Sequence, residues 1–328
     1  MKKALFWVGA LISIALLVVS LRGLNLDEFL ADLRQASLGW LIPGIVAYFL
    51  AVGMRAWRWK LLLRPVKVVA LSKLYPMVVI GYMGNNIYPA RIGELIRAYV
   101  LKRREGVAIA TTLSTVFIER LMDAIVMATF VLVGLPRVQN LPDWVHSSLF
   151  IGSLVFAAAT VLFFTLALAP RFTHSIADTI TSQIIPARFR VPALGFVERF
   201  IEGAAALRDP LNLVTIVGSS AAIWLTETVK YWCIAQGFGL STGFADLMLV
   251  NGMSNLFTII PGPPGAVGTF DAGSILSLQA LGVGQSLASA YTIVLHVALW
   301  LPVTGLGLFF FLREGLHWSD LRQAQVVK

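Results

Sequence analysis

Long apolar stretches follow one another along this chain, separated by short polar segments that carry most of the lysine and arginine residues. A helix needs about 20 apolar residues to cross the roughly 30 Å hydrocarbon core of a bilayer. Six stretches approach or exceed that length: Ala4–Leu21, Leu38–Met54, Ala108–Gly134, Ser148–Ala169, Leu211–Gln236 and Ala288–Leu312. The pattern predicts an all-α polytopic membrane protein with about six full transmembrane helices, in a single domain over residues 1–328.

Two further apolar segments differ from these because proline and glycine interrupt them. The first extends over Lys73–Leu101 around GNNIYPARIGE, and the second over Asp246–Leu281 around IIPGPPGAVGTFD. A broken helix survives in hydrocarbon only where protein or a water-filled cavity shields its unpaired backbone groups. Interrupted segments at corresponding places in two halves are typical of the midplane binding site of a transporter. We therefore expect two re-entrant broken-helix hairpins that meet at a site.

The basic residues predict an orientation, because lysine and arginine collect on the cytoplasmic side of membrane proteins. If the N-terminus is cytoplasmic and both hairpins are re-entrant, most of them fall on that side, including Arg55 and Arg58. The opposite side holds three: Arg22, Arg34 and Arg137. This asymmetry predicts a multi-pass protein of the cytoplasmic (inner) membrane, with both termini cytoplasmic and residues 170–210 as a cytoplasmic connector. Hairpins that cross fully twice give the same orientation and stay an open alternative.

The two halves, residues 38–134 and 211–312, carry these elements in the same order and opposite orientation, as in an inverted-topology repeat. Their sequence similarity is confined to an asparagine, a proline, a glycine and an acid near each break. The two sets are Asn85, Pro89, Gly93 and Glu94, and Asn255, Pro261, Gly265 and Asp271; Asn86, Gly262 and Gly268 complete the broken-helix motifs. A chance likeness of two loop-like turns is the alternative.

Ionisable residues lie inside two predicted spans, where each costs roughly 2.5 to 3.5 kcal/mol at mid-helix. They are Glu119, Arg120 and Asp123 in the third span, and Glu227 and Lys230 in the fifth. Spacings of three and four residues place the partners on common helix faces. Ion pairs between helices and the walls of a substrate cavity are both open interpretations. Three acids meet two bases here, so one carboxylate is left for another partner, and it is a candidate for proton coupling.

A short helix is predicted after the first break, with Arg91, Glu94 and Arg97 at intervals of three residues. Arginine binds phosphate through paired hydrogen bonds, and a basic cluster at the cytoplasmic face suits an anionic lipid headgroup. Ordinary loop charge on the cytoplasmic side is the alternative.

The second break has no Gly-Lys-Ser/Thr after its glycines, so it is not a Walker A phosphate loop. It ends one helix and leaves free backbone N–H groups at the start of the next, near Phe270, where an anion is favoured. Asp271 offers another interpretation, because a carboxylate in the first turn caps the helix itself.

Composition supports the membrane class, since 58% of the residues are hydrophobic and 13% charged, against about 25% charged in soluble domains. The single cysteine, Cys233, excludes a disulfide-stapled fold, and the four histidines share no metal-ligand spacing. We expect no metal, no cofactor and no nucleic acid, because the net charge of +9 is spread along a membrane face. The expected partners are membrane lipids with anionic headgroups, with a lipid synthase as a candidate; the oligomeric state is not predicted.

Three motifs recur together in one known family. They are N-x-x-P-x-R-x-G-E at Asn86–Glu94, E-R-x-x-D at Glu119–Asp123, and P-G-x-x-G-x-x-G-x-x-D at Pro261–Asp271. With them the chain resembles the lysylphosphatidylglycerol synthase transmembrane family, also called flippase-like membrane proteins, from about Leu5 to Leu312. The resemblance implies a lipid flippase or scramblase. Because the chain ends about 16 residues after its last predicted span, we expect no synthetase domain and no enzyme activity.

The resemblance implies a substrate class of anionic or modified phospholipids or polyprenyl-linked lipids. Arg91 and Arg97 are expected to contact a headgroup phosphate. The polar floor and the opposite wall of the cavity are expected from Glu119, Arg120 and Asp123, and from Glu227 and Lys230. Two alternatives stay open: a lipid-modifying transferase with Glu119 or Asp123 as base, and a scaffold that binds lipid or a partner without transport.

Overall fold

The regular structure of the chain is helical. The computed structural model describes residues 2–88, 92–138, 143–183, 185–260 and 262–316, and no strand occurs in these ranges. The helices are α1 (Lys2–Ser20), α2 (Leu26–Gln35), α3 (Leu41–Leu63), α4 (Leu71–Ile87), α5 (Gly93–Glu105), α6 (Ile109–Gly134), α7 (Asp143–Leu168), α8 (Pro170–Gln183), α9 (Ala187–Gly203), α10 (Pro210–Gly237), α11 (Phe244–Phe257), α12 (Thr269–Ala280) and α13 (Gln285–Arg313). The predicted all-α class is confirmed for the described residues.

Each predicted span coincides with a helix, but fewer helices have the length and composition of a membrane crossing. Within the described ranges, two qualify, Leu38–Leu63 and Gln285–Arg313. A third is counted if Leu154–Leu168 and Pro170–Gln183, which are bent by 106° at Ala169, form one span. The other long helices include α6 and α10, which carry the charged residues noted above. Six crossings therefore stay a prediction, as does the side on which α8 and α9 lie.

Helix α3 differs from the prediction because it continues past Met54 to Leu63. Arg55 and Arg58, counted above among the basic residues of the cytoplasmic side, lie inside this helix and are buried. Each forms an ion pair with a carboxylate from another helix. The sequence did not predict this burial, because it shows two cations that end an apolar run, whereas the acids that neutralise them come from α6 and α10.

Helices α3 and α10 form the most extensive helix pair in the described chain. Around them, α4 packs on α13 and α11 packs on α6, so each broken segment lies against the last helix of the other half. Glycine permits these close approaches: a Cβ at Gly307 would lie 2.5 Å from the Met83 Cβ, and one at Gly134 2.4 Å from the Leu249 Cβ. If α3, α4, α5 and α6 are matched in order to α10, α11, α12 and α13, each principal packing pair has a counterpart. For example, α4 with α13 corresponds to α11 with α6, and α4 with α5 corresponds to α11 with α12.

Both interrupted segments form helical hairpins. In the first, Gly93 starts α5 so close to α4 that a Cβ would lie 1.9 Å from the Gly81 carbonyl oxygen. In the second, a turn with positive φ at Gly265 (69°), Ala266 (58°) and Gly268 (90°) separates α11 from α12. Such φ values favour glycine because they bring a Cβ into contact with the backbone. Pro89, Arg91 and Pro261, which were predicted at these breaks, lie outside the described residues.

Candidate functional site

A cavity of about 380 Å³ lies where the two helix breaks meet α3, α10 and α13. Its charged lining consists of Arg55, Glu94, Arg120, Glu227 and Lys230. Aromatic rings and asparagine amides provide much of the remaining lining: Tyr48, Tyr82, Tyr88, Trp224, Tyr231, Phe270, Trp300, Asn85, Asn86 and Asn255. The volume falls within the 300–1,000 Å³ typical of small-molecule sites. A mixture of charge, amide and aromatic groups at the centre of an apolar chain indicates a binding site for a polar group.

Glu227 lies between two cations at one wall of the cavity. Its Oε1 accepts a hydrogen bond from Arg55 Nη1 at 2.5 Å, and its Oε2 accepts one from Lys230 Nζ. The Arg55 guanidinium lies 5.0 Å from the centroid of the Trp224 ring, an arrangement that stabilises a cation. The spacing of Glu227 and Lys230 correctly predicted contact between them. The sequence did not predict Arg55, which makes this group of three net positive.

A second ionic group lies behind the cavity lining, around Arg58. Its Nη1 donates to Asp123 Oδ1 and to Ser220 Oγ, both at 2.8 Å, and its Nη2 lies 3.5 Å from Glu119 Oε1. Arg58 and Glu119 are inaccessible to solvent. Glu119 and Asp123 were expected as the cavity floor, but they are not part of the lining. Their oxygens pair with arginines inside the helix bundle, so their role in this structure is to neutralise buried cations.

Arg97 belongs to this second group as well. It forms an ion pair with Glu119, and its guanidinium lies 4.1 Å from the centroid of the Trp59 ring. It is buried and does not line the main cavity. Its Nη2 pairs with Glu119 and the Trp59 ring covers its face, so this position gives no support to the expected contact with a headgroup phosphate, which stays a prediction. The other predicted contact, Arg91, lies outside the described part of the chain.

Arg120 and Glu94 keep hydrogen-bonding capacity at the cavity. Arg120 Nη2 lies 3.3 Å from Asp123 Oδ2, its side chain is 34% exposed, and its Nε has no partner among the described residues. Glu94 Oε1 accepts from Asn85 Nδ2 at 3.4 Å, while its buried Oε2 has no partner in the same part of the chain. A buried polar atom without a partner costs about 1–3 kcal/mol. A ligand that supplied an acceptor to Arg120 and a donor to Glu94 would remove that cost.

The polar centre carries an excess of positive charge among the described residues. The cations are Arg55, Arg58, Arg97, Arg120 and Lys230, and the carboxylates are Glu94, Glu119, Asp123 and Glu227. The sequence led us to expect a surplus carboxylate. Arg55 and Arg58 reverse that expectation, since they bring two further positive charges into the centre. The surplus favours an anionic group in the cavity.

Helix α13 contacts both breaks through one polar stripe. His296 Nδ1 lies 2.6 Å from Asp271 Oδ1 and its Nε2 lies 3.0 Å from the Gly265 carbonyl oxygen. Two turns later, Thr304 Oγ1 accepts from Asn86 Nδ2 at 2.8 Å. Sequence reasoning missed His296, because a partner 25 residues away leaves no local spacing. The available signal was the spacing of His296, Trp300 and Thr304, which place a hydrogen-bonding side chain every four residues along a largely apolar helix.

At the second break, Asp271 caps the start of α12, since its Oδ2 accepts a hydrogen bond from the Gly268 N–H at 2.8 Å. Gly262 and Gly265 line the cavity, and Asn255 does so from the end of α11. In the described part of the chain, no three His, Cys, Asp or Glu side chains converge as metal ligands would. The absence of a metal and of a cofactor stays a prediction.

Comparison with known proteins gives a family match over most of the chain. The family described as "Lysylphosphatidylglycerol synthase TM region" matches residues 6–307. A UPF0104 membrane protein of Methanothermobacter thermautotrophicus is 25% identical over 292 residues, which cover 84% of this chain and 85% of that protein. A UPF0104 membrane protein of Methanocaldococcus jannaschii is 23% identical over 314 residues, with 90% and 91% covered.

A third relative carries a different name. Glycosyltransferase AglD of Haloferax volcanii is 22% identical over 327 residues, which cover 91% of this chain. The match covers only 52% of that protein, so this chain corresponds to about half of it. No solved structure matches the chain.

Proposed function

Because this chain belongs to the lysylphosphatidylglycerol synthase TM region family, whose relatives are membrane proteins, we propose that it is a lipid translocase of the cytoplasmic membrane. It acts as a flippase or scramblase for a lipid with an anionic headgroup. The observation that carries this proposal is the cavity of about 380 Å³, whose lining holds three cations and two carboxylates. Buried charge in a membrane protein marks a substrate or ion pathway.

The headgroup phosphate binds to Arg55, Arg120 and Lys230. All three line the cavity, and arginine and lysine form short, strong hydrogen bonds to phosphate oxygens. Glu94 Oε2, which has no partner among the described residues, accepts a hydrogen bond from a hydroxyl or amine of the same headgroup. The cavity has room for a headgroup, and the acyl or prenyl chains stay in the bilayer.

Alternating access follows from an inverted repeat of α3–α6 and α10–α13. The exchange of packing partners between these two sets supports the repeat. In such a fold, one half moves against the other around a fixed central site. The two breaks then form the gates on opposite faces of the cavity, with both hairpins re-entrant.

Leaflet exchange of fluorescent lipids in liposomes tests the proposal. We expect the purified protein to accelerate exchange of an anionic phospholipid or a polyprenyl phosphate. Arg120→Gln should slow exchange about tenfold to a hundredfold, since a hydrogen bond to a charged group contributes about 1.5–3 kcal/mol. Arg137→Gln is the matched control, because Arg137 pairs with Asp246 outside the cavity. No exchange of any lipid, or equal exchange by the protein and Arg120→Gln, would contradict the proposal.

A lipid-modifying transferase is the second candidate, favoured by the name of the Haloferax volcanii relative. That protein is about twice as long as the matched region, so its named activity need not reside in the shared part. Mass spectrometry of lipids incubated with the protein and sugar or aminoacyl donors separates the two functions. A covalently modified lipid indicates a transferase, and unmodified lipid that changes leaflet indicates a translocase.

A further inference from the structure

The contacts of His296 require two protons on one pair of residues. A carbonyl oxygen accepts hydrogen bonds and cannot donate one, so Nε2, at 3.0 Å from the Gly265 oxygen, carries a hydrogen. Nδ1 lies 2.6 Å from Asp271 Oδ1, which requires a second hydrogen on one of these two atoms. The pair therefore holds two protons and is neutral overall, either as imidazolium with carboxylate or as imidazole with carboxylic acid.

Loss of one proton leaves a single N–H for two acceptors. A hydrogen bond to an ionised carboxylate is about twice as strong as one to a neutral group, so the remaining N–H stays on Nδ1 and donates to Asp271. The Nε2 lone pair then faces the Gly265 oxygen, which repels it. The cap at Gly268 is made by Asp271 Oδ2 and does not depend on the ring, so the change is confined to the turn around Gly265.

That turn needs an external restraint. Ala266 has φ of 58°, the left-handed region that residues with a Cβ disfavour by roughly 1–2 kcal/mol. Strained backbone persists only where surrounding contacts hold it. The His296 contact holds the residue directly before Ala266, and the same residues line the cavity. Release of this contact frees part of the cavity wall.

Among the described residues, Asp271 is the direct ionic partner of His296. Other titratable groups reach the cavity from neighbouring helices: Tyr48 and Arg55 from α3, Tyr82 from α4, Tyr88 and Glu94 at the first break, Arg120 from α6, and Glu227, Lys230 and Tyr231 from α10. On α2, Glu28 contacts Ser286 at the far end of α13. The titratable residues of α1 are Lys2 and Lys3, at its N-terminus.

We propose that Asp271 and His296 form a proton-binding site that controls the second helix break. With the proton bound, α13 holds Gly265 and the turn is closed; when the proton leaves through the cavity, the turn separates from α13. The proton site stands on this geometry alone. Its use as the coupled ion of transport rests on the proposed translocase function.

Thiol accessibility in the full chain, purified in detergent, tests the proton site without transport. Val267→Cys places a reporter in the turn, where the native side chain is 45% exposed, and Cys233→Ala removes the native thiol. Val68→Cys, at a loop position 74% exposed, corrects for the pH dependence of thiol chemistry itself. Between about pH 5 and pH 8, where histidine titrates, we expect the ratio of labelling rates to rise about tenfold, the equivalent of one lost hydrogen bond.

His296→Gln should abolish this rise, since an amide does not titrate. Asp271→Asn is the second variant and should also flatten the profile. His174→Gln, at an exposed position on α8, should keep the rise. A flat ratio in the parent, or an unchanged rise in a folded His296→Gln or Asp271→Asn protein, overturns the proton site. If labelling follows pH while liposomes show no lipid exchange, the proton site stands and the translocase function fails.

Discussion

The two helix breaks have similar architecture but are closed by different chemistry. The shortest contacts that hold the first are made by uncharged amides: Asn85 Oδ1 accepts from the Gly93 N–H, and Asn86 Nδ2 donates to Thr304 Oγ1, both at 2.8 Å. The second is held by an ionisable pair, Asp271 and His296. Amides keep the same hydrogen-bonding capacity at every physiological pH, whereas a histidine paired with a carboxylate does not.

Because of this difference, we expect the two breaks to respond to different ligands, the first to a lipid headgroup and the second to a proton. The first break adjoins Glu94 and Arg120, each of which has a buried polar atom without a partner among the described residues. In the proposed translocase, this break responds directly to the lipid headgroup. The second break can sense a proton through His296. If both are gates of one translocase, a lipid acts on one gate and a proton on the other, which is a minimal arrangement for coupling transport to a proton gradient.

The largest expected effect compares the glycines that let the hairpin arms touch. A Cβ at Gly93 would lie 1.9 Å from the Gly81 carbonyl oxygen, whereas one at Gly273 would lie 2.9 Å from the Ser254 Cα. Gly93→Ala should therefore destabilise the protein by about 3 kcal/mol or more, and Gly273→Ala by about 1–3 kcal/mol. The midpoint of thermal unfolding in detergent measures both.

Gly53→Ala is the control for these substitutions. Gly53 lies inside α3, and a Cβ added there would meet no neighbouring atom within 4 Å. Alanine should stabilise that helix slightly through its higher propensity. Equal losses of stability in Gly93→Ala and Gly273→Ala would show that the arms of the two hairpins pack equally closely. That result would contradict the difference between 1.9 Å and 2.9 Å.

The next effect concerns the ties between α13 and the first break. Asn86→Ala removes the hydrogen bond to Thr304 and a longer one to the Trp300 carbonyl, and it leaves the Thr304 hydroxyl with its own bond to that carbonyl. The expected loss is about 1 kcal/mol, and it should be the same at pH 5 and pH 8 because neither group titrates. A loss that varies with pH would remove the distinction between the two breaks.

An effect of similar size, but confined to low pH, is expected from His296→Gln. The protonated pair makes two contacts and the deprotonated pair one, so the stability that His296 adds is present at low pH and lost as pH rises. Glutamine carries both N–H donors on one nitrogen and cannot reproduce contacts made from two ring nitrogens, so the variant should be less stable than the parent by about 1 kcal/mol near pH 5 and nearly equal near pH 8. Thermal unfolding at both pH values is the measurement.

Features of the fold that depend on neighbouring residues in the chain could be predicted from the sequence. Apolar length predicted the helices, and proline and glycine predicted both breaks, because these residues act on the backbone at their own positions. Contact between Glu227 and Lys230 followed from their spacing of three residues on α10. The side of the membrane and the number of crossings are not determined by these signals alone, and they stay predictions.

Long-range pairs could not be predicted in the same way. Arg55 meets Glu227 across 172 residues, and Arg58 meets Asp123 across 65. Nothing near Arg55 or Arg58 distinguishes a cation that ends a span from one that is neutralised inside the bundle. The charge of the candidate site therefore had the opposite sign in the sequence-based count. Of the residues expected there, Glu94, Arg120, Glu227 and Lys230 line the cavity, and their role in binding stays a prediction.

The smallest expected effect has the opposite sign and concerns the strain that distinguishes the second break. Ala266 is the described residue other than glycine with positive φ, so Ala266→Gly should relieve strain and stabilise the closed turn by about 0.5–1 kcal/mol. Ala158→Gly, at an exposed position in the interior of α7, should instead destabilise its helix by about 1 kcal/mol. If Ala266→Gly also lowers the thermal midpoint, the turn is not held under strain, and release of His296 alone would not open it. A higher midpoint with a smaller pH response in the labelling ratio would show that this strain helps to open the second break.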